Sequence, residues 1–160
     1  MAPIPIEDHL RLATWAADCA EHVLELFETG FPDDARPRQA IAACRAWART
    51  RQFRMADVRS TSLSAHAAAR LARSGSAAQF AARAAGQAAA VPHVATHALG
   101  PAWYGAKAAD RAGLTGERDW QYRALPIDLR AWVLEAARAK PGLEKVLRYP
   151  GMPGGVGGSP

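Results

Sequence analysis

His93 and His97 are four residues apart and share a face of any helix that contains them, and two imidazoles at that spacing can hold one metal ion. His66 is the residue that would complete such a site from a neighbouring helix. No glutamate follows His93, so the pair lacks the zinc-protease pattern in which that carboxylate is the general base. A second arrangement is basic. Arg59, His66, Arg70 and Arg73 lie at offsets of 7, 11 and 14 from the first, a single stripe along a helix. Gln79, Arg83, Gln87, His93 and His97 form another stripe if their helix continues through Pro92. Facing each other, the two stripes would enclose a groove able to hold a phosphate or carboxylate by charge-assisted hydrogen bonds. Facing outward, each is only the solvated side of its helix. Trp103 and Tyr104, after Gly100-Pro101, are placed to line a pocket. Asp18 and His22, also four apart, predict a weak pair on an exposed face.

The chain has no glycine-rich phosphate loop, no nucleophile elbow and no paired carboxylates with a shared site. It therefore assigns no catalytic residue and calls for no cofactor. The charge distribution says more about partners. The net charge of +5 divides into −3 over residues 1–50, +6 over 51–112 and +2 over 113–160, and no acid lies between Asp57 and Asp110. An acid-free, basic middle fits an acidic protein or a small anion. Nucleic acid is disfavoured, because the aromatic-and-basic recognition patterns are missing. A membrane is disfavoured too: the uncharged run from Ala84 to Ala106 contains Gln87, two histidines, two prolines and three glycines, and most of the rest is alanine. Cys19 and Cys44 have no metal-ligand spacing and read as buried reduced thiols, which with the absence of a signal-peptide pattern points to the cytoplasm.

The elements that must position these residues are helices. Fourteen of the thirty residues from Thr61 to Ala90 are alanine, the best helix former and a poor strand former. Nothing alternates with period two, so no sheet is expected. The spacing predicts helices from Glu7 to Glu28, from about Pro37 to Thr50, from Met55 to Arg73, and from a Ser76 cap to Ala90. Pro92 kinks the fourth or starts another, Gly100-Pro101 breaks the chain before a helix from Trp103 to Arg111, and a last strong helix runs from Leu125 to Lys140. The buried face of the second is expected to hold Ile41, Ala42, Cys44 and Trp47. The architecture is all-α, an antiparallel bundle of five to seven helices with alanine-rich central members. Residues 1–149 make one helical domain, and the Gly/Pro-rich 150–160 segment reads as a flexible tail.

A resemblance adds to this reading. It is carried by Leu-Ala-Thr-Trp-Ala-Ala-Asp-Cys-Ala at 12–20, Pro-Asp-Asp-Ala-Arg-Pro-Arg-Gln-Ala-Ile at 32–41 and Arg-Ala-Trp-Ala-Arg at 45–49. It continues through Ala-His-Ala-Ala-Ala-Arg at 65–70, Ala-Ala-Gly-Gln-Ala at 84–88 and His-Val-Ala-Thr-His-Ala-Leu-Gly at 93–100. Over residues 7–140 the chain resembles the small all-helical immunity proteins of bacterial toxin systems, some of which carry an exonuclease-subunit label. Relatives have histidine where this chain has Gln87 and lack Pro92 and Pro101, so the resemblance implies a thinner histidine cluster here.

Three functions follow as expectations. The first is self-protection by stoichiometric binding of an acidic protein toxin or a toxic small anion, with His66, Arg70, Arg83, Gln87, His93, His97, Trp103 and Tyr104 as the binding residues. The second is a small metalloprotein or enzyme using His66, His93 and His97. The third is a structural or regulatory helical module, with a homodimer as one form.

Overall fold

The computed structural model describes residues 3–152. It is all-helical, and its body is five helices: α1 (Ile6–His22), α3 (Arg36–Thr50), α4 (Met55–Ala69), α5 (Ala77–Ala90) and α6 (Leu99–Arg111). Four shorter ones complete it: α2 (Glu25–Glu28), α7 (Glu117–Ala124), α8 (Arg130–Arg138) and α9 (Leu143–Leu147), with 3-10 turns at Val91–His93, Ala95–Ala98 and Ile127–Leu129.

α5 is the axis of the bundle and packs against α1, α2, α3, α4 and α6. Its sequence explains this. Ala81, Ala82, Ala84, Ala85, Ala88 and Ala89 are all buried and cover almost half of the helix surface, and the buried Gln79, Phe80 and Gly86 extend the covered face on either side. A broad face of small side chains admits several close neighbours at once. Its start is fixed by reciprocal capping: Ser76 Oγ accepts from Gln79 N at 3.2 Å, while Gln79 Oε1 accepts from Gly75 N at 3.0 Å. Gly75 supplies the left-handed turn that precedes the cap. Two glycines set the closest approaches. A Cβ at Gly86 would lie 2.8 Å from His66 Nε2 of α4, and one at Gly100 of α6 would lie 2.7 Å from Gln87 Cβ.

Several boundaries differ from expectation, each for a physical reason. The first helix breaks at Val23-Leu24, where i to i−3 bonds tighten the turn and Val23, Leu24 and Phe27 are all buried. α4 stops at Ala69, and residues 70–72 close with similarly tight turns. Pro92 ends α5, since it has no amide hydrogen to donate; two 3-10 turns follow in place of a continued helix, so the second stripe is not one helical face. Gly100-Pro101 does not break the chain: both residues sit in the first turn of α6, where amide hydrogens have no helical partner. The last strong helix is shorter than expected, with a 3-10 turn ahead of α8. Ala42 is exposed, although Ile41, Cys44 and Trp47 are buried as expected.

α7 was not expected at all, because its buried face is polar. Gln121 is fully buried and Glu117 nearly so. Gln121 Nε2 donates to Ala102 O at 3.1 Å and to Glu117 Oε1 at 2.9 Å, and its Oε1 accepts from the Tyr149 hydroxyl at 2.7 Å. Trp15 Nε1 donates to the Gln121 carbonyl at 2.9 Å. Gly105 of α6 lets this network approach, since a Cβ there would lie 3.1 Å from Gln121 Nε2. The network ties α1, α6 and α7 to Tyr149. Met152 is also in the core, 5% exposed, so packing reaches the first residues of the expected tail; residues 153–160 lie outside the described ones.

Two substitutions test this packing by urea unfolding. Tyr149→Phe strands the buried Gln121 oxygen without its donor and is expected to cost about 1–3 kcal/mol. Gly100→Ala drives a methyl into Gln87 Cβ, which cannot swing away as a chain end can. The expected loss is again about 1–3 kcal/mol even though alanine favours helix. A rise in midpoint for Gly100→Ala would show that α6 has room to move.

Candidate functional site

His66 stands where α4 crosses α5, with its ring on the Gly86 backbone, and Ser62 Oγ donates to Gly86 O at 2.9 Å one turn away. Burial lowers the His66 pKa from its ordinary value, and the charges of Arg83 and Arg70 lower it further. The ring is therefore neutral near pH 7. Part of each predicted stripe thus converges, with His66 and Arg70 from α4 and Arg83 from α5. Arg59 and Arg73 are exposed.

The basic region continues onto α6 through a residue that sequence reasoning passed over. The Lys107 ammonium lies 4.4 Å from the centroid of the Phe80 ring and 4.4 Å from that of Trp103. Burial, then the neighbouring Arg111 and Arg83, lower its pKa. The spacing Trp103 to Lys107, four residues on one helix face, was the available signal. Arg83 and Arg111 act on Lys107, and Arg83 and Arg70 act on His66, so these cations form an arc over the end of α4, α5 and α6; none of Arg70, Arg83, Lys107 and Arg111 is in an ion pair among the described residues.

Gln87, His97, Trp103 and Tyr104 come together differently. They line a pocket of about 190 Å³ with Thr96 and Lys140. The 3-10 turn after Val94 carries His97 there, and Trp103 and Tyr104 pack edge to face at 4.7 Å. Burial lowers the His97 pKa, with Lys140 and His93 adding to the effect. The sequence places Lys140 only at the end of a helix, and nothing local joins it to His97.

The histidines do not assemble into one site. His93 is exposed, with its ring centroid 6.2 Å from that of His97. Among the described residues no three of His, Cys, Asp or Glu stand where they could share a metal ion. His66 is occupied with the Gly86 contact instead. Cys19 and Cys44 are free and buried, and burial pushes the Cys44 thiol up to about 12, which leaves it unreactive.

Ion pairing is concentrated elsewhere. Arg45 pairs with Asp18 at 2.8 Å and Glu21 at 2.6 Å, Arg38 with Glu28 at 2.7 Å, and Arg11 with Asp128 at 2.6 Å. Asp18 and His22 do not pair with each other. His22 Nδ1 instead meets Glu117 Oε2 at 2.6 Å, and its ring stacks on Trp120 at 3.7 Å. The reason is tertiary: α3 and α7 bring stronger partners than the local one.

Compared with protein families, residues 3–128 match the family described as Imm-5 like putative immunity protein. Among curated proteins and among solved structures nothing matches the chain.

The lowered pKa values have a consequence for stability. His9, His66 and His97 all have folded values below the ordinary 6.5, burial being the largest cause for each. The unfolded chain takes up protons near 6.5 that the folded chain refuses. The stability due to these rings is therefore complete above that pH and lost as pH falls through the lowered values. The urea midpoint is expected to be level from pH 7 to 8 and to decline below about 6.5. His97→Gln should flatten that decline, and a midpoint that rises on acidification would contradict the assignment.

Proposed function

The chain belongs to the Imm-5 like immunity protein family, and from that premise we propose that it protects by binding an acidic toxin stoichiometrically in the cytoplasm, on the face formed by α4, α5 and α6. The observation that carries this reading is the cationic arc of Arg70, Arg83, Lys107 and Arg111, which has no paired acid while arginines of the α1–α3 side are paired. Unpaired cations gathered on one face steer an acidic partner and favour it over neutral ones. The pocket at Gln87, His97, Trp103, Tyr104 and Lys140 gives the same face a concave element, with Thr96 and Gln87 as polar groups. It also suits a small toxic anion. Inhibition by a complex needs no catalytic set. Among the described residues no helix is long and apolar enough to cross a membrane, in keeping with a partner met in solution.

The metalloprotein reading lacks its geometry, because His66 is separated from the His93–His97 pair. A purely structural module would tolerate reversal of the arc charges, which sets up the test. Native mass spectrometry on tagged protein from its own host is expected to show a 1:1 complex with a polypeptide or a small anion. Arg70→Glu with Arg111→Glu, both at exposed positions, should weaken that complex at least tenfold. Arg38→Glu, on the paired side, should leave it intact. A bare chain, or a complex indifferent to the arc reversals, would remove this face as the binding surface.

A further inference from the structure

Two buried nitrogen donors on the α5–α6 seam have no hydrogen-bond partner, and a partly exposed cation lies beside one of them. Arg83 Nε and Trp103 Nε1 are both buried without a hydrogen-bond partner. Lys107 Nζ, on the Trp103 ring face, is in no ion pair among the described residues. A buried donor left unpaired destabilises the fold, and side chains that cluster such donors need an explanation. Phe80 and Arg83 are three apart on α5; Trp103 and Lys107 are four apart on α6. Each helix thus contributes one aromatic wall and one cation, and the Lys107 ammonium sits between the two rings.

We infer that Arg83, Trp103 and Lys107 form a carboxylate-binding site whose occupant is an aspartate or glutamate side chain of the protein partner. The inference rests on the reading of the α4–α6 face as the binding surface and supplies its anchor. Single donors from an arginine edge, an indole and an ammonium suit a planar group with two oxygens, because each oxygen can accept from more than one of them. Phe80 is buried and Trp103 half-buried, so a carboxylate beside Lys107 would meet apolar surface as well as donors, where charge-assisted bonds count for more than at an open rim. Burial, then the like charges of Arg111 and Arg83, make Lys107 costly to keep charged alone, and a carboxylate relieves that cost. The site is separate from the pocket holding Gln87, His97 and Lys140, with which it shares only Trp103.

The test uses the full chain labelled with ¹⁵N and follows its five tryptophan indole signals, that of Trp103 being assigned by its loss in Trp103→Phe. The probes are a capped Gly-Asp-Gly peptide, whose only carboxylate is the side chain, sodium acetate, and sodium chloride at matched ionic strength. The Trp103 indole is expected to shift saturably with peptide and with acetate but not with chloride. Lys107→Met keeps the stem between the rings and should weaken the response at least tenfold, whereas Lys107→Arg should retain it. Dispersed amide signals in both variants report that they fold. No indole shift, an equal shift with chloride, or a response untouched by Lys107→Met overturns the site. A response to acetate alone overturns the side-chain occupant. A toxin complex indifferent to Lys107→Met overturns the anchor while leaving the binding face, and a carboxylate response with no toxin complex in the host does the reverse.

Discussion

Where α4 crosses α5 the His66 ring rests on the backbone of Gly86, and where α6 meets α5 the Gln87 side chain rests on Gly100. Around these two contacts α5 offers a broad face of alanine, with the methyl groups of Ala81, Ala82, Ala84, Ala85, Ala88 and Ala89 buried. Interhelical distance is set by the side chains at the contact, so this helix holds its neighbours close. Everything on the candidate face inherits that spacing. His66 reaches Arg83, and Lys107 reaches both Phe80 and Trp103, because no larger residue keeps the helices apart.

Close packing of small residues has a cost in specificity, since alanine surfaces slide past each other with little to fix their register. The molecule supplies register with polar contacts. The Ser76–Gln79 cap fixes where α5 begins, and the Gln121 network fixes where α7 and Tyr149 sit against α1 and α6. Each partner in that network is satisfied by another element, so a shift of one helix would leave several buried groups unpaired at once.

Electrostatics divides the surface. On the α1–α3 side arginines meet acids, Arg45 holding two of them. Across α4, α5 and α6 there is almost nothing for a cation to meet, and basic groups lower each other's proton affinity instead. Such an imbalance works against the isolated protein and is tolerable when a partner completes it. The chain belongs to a family of immunity proteins, and the arc gives the proposed binding a location.

The all-helical class, the burial of Ile41, Cys44 and Trp47 on α3, the Ser76 cap and the acid-free middle are all visible in the residues alone. Each depends on local rules: propensity, a 3.6-residue period, a capping side chain, a count of charges. What the residues could not disclose is tertiary in origin. α7 is held by a buried glutamine rather than an apolar stripe, so periodicity passes over it. Lys140 joins His97, and His22 joins Glu117, across 43 and 95 positions of chain. The helix after Pro92 gives way to 3-10 turns, which splits the predicted binding residues between an arc and a pocket. Local sequence decides what each segment becomes; which side chains meet is decided by how closely the segments can pack, and here glycine and alanine set that limit.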